Sequence, residues 1–303
     1  MSPVLIGRSA ELRQLRAALA AAPGAVLLGG DAGLGKTRLI REFGRDADAR
    51  TLVGGCLELG SDGLPFAPFT TVLRGLVRDI GIEGVAGLVP RGDTGALARL
   101  LPEFGEPESD AASGEERARL FEVVLTLLER LAERGPVVLV IEDAHWADRS
   151  TRDLLAFLIR NLGAAPLLVV LTYRSDELHR THPLRQLLAG LERLERVRRT
   201  EIGQLARADV AALVTELLGQ TPPPGLVERI EARSEGNPCS SRRCSTTTAR
   251  WRASCPSRCA TCCWRASSGS PRRRRTSCGT PAAAAPASST RCWRRCRGST
   301  TRR

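Results

Sequence analysis

A chain of 303 residues with 42% hydrophobic and 26% charged side chains has length enough for a sizeable core and lies in the soluble globular range. It has no apolar run of the roughly 18 residues that a membrane-spanning helix needs, and Met1-Ser2-Pro3 opens no basic or apolar leader, so a cytoplasmic protein is expected. The formal charge of +12 is unevenly spread: residues 239–303 hold 16 Arg and no Lys, Asp or Glu, which leaves residues 1–238 with 29 basic against 33 acidic side chains, a formal −4.

Leu12, Leu15 and Leu19 share one face of a helix expected over Ala10–Ala21, which Pro23-Gly24 ends. Ala25–Gly29 reads as a short buried strand, followed by a glycine-rich turn and a helix over Lys36–Gly44. The turn Gly30-Asp31-Ala32-Gly33-Leu34-Gly35-Lys36-Thr37 fits G-x-x-x-x-G-K-[ST]. Its glycines let the chain wrap so that backbone N–H groups face phosphate oxygens at a helix N-terminus. Lys36 would reach the β- and γ-phosphates and the Thr37 hydroxyl would ligate Mg²⁺. Lys36 is the only lysine beside 44 arginines, a compact ammonium kept where a phosphate loop uses one. A glycine-rich surface turn is the plain alternative, and the strand before and helix after argue against it. These eight residues and Arg38 form the expected nucleotide-binding segment.

Thr51–Cys56 reads as a second strand, Leu57–Phe69 as a Gly/Pro-rich loop and Thr70–Ile80 as a helix. Residues 81–113 give only one or two short helices. A long helix over Glu115–Arg134 closes at Gly135-Pro136. Val137–Ile141 is a strand buried on both faces that delivers Glu142 and Asp143 to its C-terminal end, where open α/β sheets bind ligands. Paired acids there are candidates for holding Mg²⁺ and for orienting or deprotonating the attacking water. Beside a phosphate loop that reading outweighs two solvated acids.

His145 is either a γ-phosphate sensor or a structural ring beside Trp146, and Asp148 is a candidate helix cap. Ser150-Thr151-Arg152-Asp153 resembles a capping box opening a helix to Asn161. Leu167–Thr172 is a further buried strand, and Arg174 beyond it is placed to read a γ-phosphate. Helices over Pro183–Arg193, Arg207–Leu218 and Gly225–Ala232, with a strand at Val197–Ile202, complete the chain to residue 238. The alternation predicts an α/β fold, a parallel sheet covered on both faces over residues 1–202, with a small helical lid over 203–238.

Residues 239–303 contain no Val, Ile, Leu, Met or Phe, yet hold nine of the ten cysteines. Such a segment buries too little apolar surface to offset chain entropy, so a disordered tail is expected. Cys259 and Cys262, with Cys292 and Cys296, have the spacing of a zinc site, but Cys255, Cys263 and Cys278 interrupt it without a repeat. The arginines would attract nucleic acid without reading bases. A slip of reading frame is the preferred account. Written in GC-rich codons, Cys239–Ser245 read from the third base give Leu-Val-Glu-Glu-Val-Leu, restoring acids and apolar positions at helical spacing.

With these elements in order, residues 4–238 resemble the signal-transduction (STAND) branch of AAA+-like P-loop ATPases. The likeness is to the ATPase module of large LuxR-type bacterial transcriptional regulators, and the chain is similar to origin-recognition-like AAA modules. Leu5-Ile6-Gly7-Arg8-Ser9-Ala10-Glu11 looks like the family's opening motif, which implies that Gly7 and Arg8 lie near the adenine. Glu142-Asp143-Ala144-His145-Trp146-Ala147-Asp148 resembles its Walker B region and Thr172-Tyr173-Arg174 its sensor segment. Glu235-Gly236-Asn237-Pro238 resembles its lid motif, which implies Pro238 near the base. The resemblance implies ATP and Mg²⁺ as ligands, with Lys36, Glu142, Asp143 and Arg174 carrying slow hydrolysis and Thr37, Glu142 and Asp143 holding the metal. It also implies a nucleotide switch with self-association or other protein partners. No sensor region or helix-turn-helix follows, so DNA is not an expected partner of this chain, and no membrane is. A non-hydrolysing scaffold and nucleic-acid binding through the tail are the alternatives.

Overall fold

The computed structural model describes residues 5–58, 64–90, 92–105, 114–241 and Cys244. Most of 239–303, and with it the zinc, frame-slip and disordered-tail readings, lies outside the described residues. The elements fall within one unit, Met1–Arg242.

Chain order is α1 (Ser9–Ala20), β1 (Gly24–Gly29), α2 (Lys36–Asp46), β2 (Arg50–Gly55), α3 (Ala67–Ala86), α4 (Thr94–Leu97) and a 3-10 turn at Pro102–Phe104. Then come α5 (Gly114–Ala132), β3 (Val137–Glu142), a 3-10 turn at Ala144–Trp146, α6 (Arg149–Arg160), β4 (Leu167–Thr172), α7 (Pro183–Leu191), β5 (Val197–Glu201), α8 (Arg207–Leu218) and α9 (Leu226–Ser234). The five strands form one parallel sheet in the order β2-β3-β4-β1-β5. This is the expected α/β architecture. Among the described residues no helix is long and apolar enough to cross a membrane.

β1, β3 and β4 read as continuous apolar runs because both of their faces are covered. Ala25 and Leu27 of β1, Leu139 and Ile141 of β3, and Val169 and Leu171 of β4 point into a core shared with α3, α5, α6 and α7. Val26, Leu28, Val138, Val140, Leu168 and Val170 point the other way, onto Leu15 of α1 and Leu39, Ile40 and Phe43 of α2. The period of two along each strand thus divides the sheet's side chains between two layers of helix.

The cap of α6 and the chain at Pro238 differ from the sequence expectation. The cap of α6 is Asp148, not Ser150: its carboxylate accepts from the backbone N–H of Ser150 at 2.8 Å and of Thr151 at 3.2 Å. Asp148 sits one residue before the first helical position, where a side-chain acceptor meets the orphan amides. Regular structure also runs past Pro238, since residues 238–241 form a helical turn.

Candidate functional site

Parallel strands bring their C-terminal ends to one edge of the sheet. Gly29 of β1, Glu142 of β3 and Thr172 of β4 therefore lie along that edge, and the loops that leave them carry the candidate residues. The phosphate-loop sequence turns directly from β1 into α2. Gly30, Gly33 and Gly35 have φ of 146°, 81° and 96°, values that favour glycine, and Gly35 is the N-cap of α2. A Cβ at Gly30 would lie 2.7 Å from the Ile202 carbonyl oxygen, so the turn also requires a residue without a side chain.

Lys36 and Thr37 open α2 with no acidic residue in its first turn, so the positive end of the helix stays uncompensated by its own sequence. Asp31, Ala32, Gly33 and Thr37 are exposed, whereas Leu34 anchors the loop in the core at 3% exposure. Arg38 lies within 3.7 Å of Glu42 on α2. Lys36 is buried, and its Nζ donates to the carbonyl oxygens of Gly30 at 2.5 Å and Asp31 at 3.0 Å. Burial lowers its pKa from the ordinary lysine value, and the field of Arg174 acts in the same direction. Asp143, Asp176 and Asp31 oppose the shift. The lysine, the strand-end acid and the candidate sensor arginine thus share one electrostatic environment.

Asp143 follows Glu142 in a left-handed conformation, φ 54°, and its N–H donates to Thr172 Oγ1 at 3.1 Å. The bond ties the end of β3 to the end of β4 and fixes where the acidic pair leaves the sheet. Arg174, two residues beyond β4, stacks its guanidinium 5.1 Å from the Trp146 ring centroid and pairs with Glu177 at 2.5 Å. The His145 side chain is fully buried, its ring 4.6 Å from that of Trp146 and its Nδ1 accepting from the Arg174 N–H at 3.4 Å. Its Nε2 lies 3.2 Å from the Glu177 carboxylate without the alignment of a hydrogen bond. Burial holds His145 below the ordinary histidine value although Glu177 and Asp143 oppose it. Of the two readings of His145, the packing favours the structural one.

The opening motif and the lid motif converge on the outer side of the same loop. Gly7 has φ 69°, and a Cβ there would stand 2.7 Å from the Asp209 carboxyl of α8. Arg8 is 5% exposed, pairs with Glu11 at 3.1 Å, and donates to the carbonyls of Leu34 at 3.2 Å and Gly203 at 2.6 Å. It therefore brackets the loop to the β5–α8 junction. Asn237 Nδ2 donates to the Ala32 carbonyl at 2.8 Å, and the Cys239 N–H donates to the Gly33 carbonyl at 3.3 Å. Pro238 lies between them, half-buried. The sequence-derived candidates for binding nucleotide thus sit at one end of the sheet.

Glu177 reads in the sequence as one more surface acid, and Thr172 and Asn237 stand there only as members of the sensor and lid motifs, without the bonds they make. Asn237 carries a usable signal, an N-cap type of residue directly before a proline. Among the described residues no three His, Cys, Asp or Glu side chains form a metal-binding group. A hydroxyl and one or two carboxylates beside phosphate oxygens is nevertheless a donor set that suits Mg²⁺ rather than a soft metal.

Comparison with known proteins agrees with this geometry. An uncharacterised protein of Rhizobium meliloti (strain 1021) is 31% identical over 225 residues, 63% of this chain, and the chain spans only 21% of that protein's length. The Walker-type ATPase paby2304 of Pyrococcus abyssi shares the fold with a TM-score of 0.55 at 17% identity, over 81% of this chain and 68% of that one. A Signal Transduction ATPase with Numerous Domains from Pyrococcus horikoshii, which has a tetratricopeptide repeat sensor, gives a TM-score of 0.45 at 17% identity, over 78% of this chain and 29% of that one. Residues 4–170 match the family described as AAA ATPase domain, more than half of the chain and the whole run from the opening motif to β4. A glycine-rich turn on β1, acids at the end of β3 and that match lead to one conclusion: the chain belongs to the AAA ATPase domain family.

Proposed function

We propose that the chain binds ATP with Mg²⁺ at this sheet edge and acts as a slow nucleotide-hydrolysing switch, a module of a LuxR-type transcriptional regulator. The observation that carries the nucleotide reading is the buried Lys36 ammonium at the mouth of α2, in the shared field of Asp143 and Arg174. The loop amides and Lys36 bind the phosphates, with Gly30 to Arg38 forming the cradle. Thr37, Glu142 and Asp143 are the oxygen donors that would hold Mg²⁺, which when bound neutralises phosphate charge. Glu142 or Asp143 orients the attacking water and takes its proton, and Arg174, released from Glu177, faces the γ-phosphate. Gly7, Arg8 and Pro238 border the nucleotide from the side of α8 and α9. The regulator context rests on the motif resemblance alone.

Binding of a fluorescent ATP analogue tests the assignment. Lys36→Ala should weaken it roughly a hundredfold, because a charge-assisted phosphate contact is lost from a partly desolvated site. Undiminished binding by that variant overturns the proposal. Phosphate release should require Mg²⁺ and fall about tenfold or more with Glu142→Gln or Asp143→Asn, in the range of a lost general base. Tight binding by the unmodified chain without turnover selects the non-hydrolysing scaffold instead.

A further inference from the structure

The inner surface of a phosphate loop presents amides; the Gly30 and Asp31 carbonyls accept from Lys36, and those that follow point outward. Here three consecutive outward carbonyls each take a donor from elsewhere in the chain: Ala32 from Asn237 Nδ2, Gly33 from the Cys239 N–H and Leu34 from Arg8 Nη2. Two of the three donors belong to the short segment after α9, and Arg8 also holds the Gly203 carbonyl where the chain leaves β5.

The segment after α9 is built to present that contact. Gly236, φ 76°, packs so closely that a Cβ would lie 2.5 Å from the Leu205 carbonyl oxygen, and its own carbonyl accepts from the Leu205 N–H at 2.8 Å. Asn237 Oδ1 accepts from the N–H groups of Cys239 at 3.0 Å and Ser240 at 3.2 Å, capping the helical turn that Pro238 begins. With Oδ1 engaged by two amides, Nδ2 is left facing the loop. The buried Ser241 hydroxyl bonds to Ser234 at 2.9 Å and closes the turn against the end of α9. A Cβ at Gly33 would meet Asn237 Oδ1 at 2.9 Å, so the approach also needs glycine on the loop side.

We propose that Asn237 is a positioning residue that couples the phosphate loop to the α8–α9 segment, its Nδ2–Ala32 bond holding the loop's carbonyls outward so that its amides face the nucleotide. Loop shape and segment position then form one equilibrium, and a nucleotide that favours the amide-in loop also favours the docked segment. This inference rests on the nucleotide-binding reading above, and it assigns Asn237 no contact with the nucleotide.

Asn237→Asp separates the two jobs of the side chain: a carboxylate still caps the turn but cannot donate to Ala32. Asn237→Ser also caps and is too short to reach the loop, and it decides the matter if the charged variant fails to fold. In the full chain, both should raise the Kd for ATP, roughly tenfold for the aspartate, as loss of one hydrogen bond and carboxylate–carbonyl repulsion require. Hydrogen exchange supplies the second readout. ATP should slow exchange of the Leu205 and Cys239 amides in the unmodified chain and should not in either variant. A side chain that serves only the fold would lower the melting temperature and leave both the affinity and the ATP-dependent protection unchanged, which overturns the proposal. Lys36→Ala is the control: if it binds normally the nucleotide assignment fails, whereas lost binding there with unaltered Asn237 variants defeats the coupling alone.

Discussion

His182 shows how much one ring nitrogen does at the residue scale. It is the N-cap of α7, its Nδ1 accepting from the Leu184 N–H at 3.2 Å, and protonation removes that acceptor. Its pKa is lowered from the ordinary histidine value by burial first, then by His179 and Arg152, with Glu177 opposing. A histidine whose folded pKa is lowered takes its proton more readily in the unfolded chain. Its stabilisation is therefore complete above about pH 6.5 and is lost as the pH falls below that value. His182→Asn keeps a capping oxygen and does not titrate, so at pH 7.5 its unfolding free energy from urea titration should match that of the unmodified chain within about 1 kcal/mol. At pH 5.5 the variant should be the more stable of the two, and equal losses on acidification would refute the cap as the cause. Cap chemistry of this kind was partly legible in the sequence. Asp148 was named as a cap, while His182 was not, because an imidazole acts as an acceptor only in one tautomer and one pose. The glycine-rich turn between β1 and α2 was legible, since its conformation depends on local spacing. The distant partners, Leu34 and Gly203 for Arg8, Trp146 for Arg174 and Ala32 for Asn237, were not, because those contacts join residues brought together only by folding.

Strand and helix packing set a stricter limit at the element scale. Gly54 of β2 is buried against the first turn of α3, and a Cβ there would stand 2.3 Å from the Pro68 carbonyl oxygen. Backbone cannot step aside as a side-chain tip can, so Gly54→Ala must push α3 off the sheet. The expected destabilisation is about 1–3 kcal/mol, or roughly 2–10 °C in melting temperature for a unit of this size. An unchanged melting temperature would mean that α3 does not seat on β2 in this way. The sequence located β2 and α3 but not their contact. It also placed the start of α3 at Thr70 by reading Leu57–Phe69 as a Gly/Pro-rich loop, although proline is at home in a first helical turn. It ended the helix at Ile80, whereas the chain kinks at Gly81, φ 75°, and continues to Ala86. The buried strands were found almost to the residue because unbroken aliphatic runs leave little choice. The chain between Gly92 and Gly105 was not, since α4 and the 3-10 turn at Pro102–Phe104 are too short to show a period.

Charge is the property that belongs to the whole molecule. The sheet unit is slightly acidic, and removing residues 243–303 takes away 15 arginines and leaves a formal −3. All the contacts that shape the phosphate loop are made within Met1–Arg242, so nucleotide binding should not depend on the remainder. At 0.3 M salt, where charges more than a few ångströms apart are largely screened, chains 1–242 and 1–303 should bind ATP with Kd values within about twofold of each other. Duplex DNA should distinguish them. If the alternative of nucleic-acid binding through the tail holds, clustered arginines release counter-ions from a polyanion and the full chain binds DNA at low salt with a log–log salt slope of roughly −5 or steeper. Chain 1–242 should not bind it. On the proposed reading the two affinities respond to different residues, ATP to the loop amides and Lys36 and DNA to the arginines of residues 243–303. DNA binding retained by chain 1–242, or insensitive to salt, would place a polyanion site on the sheet unit and break that separation.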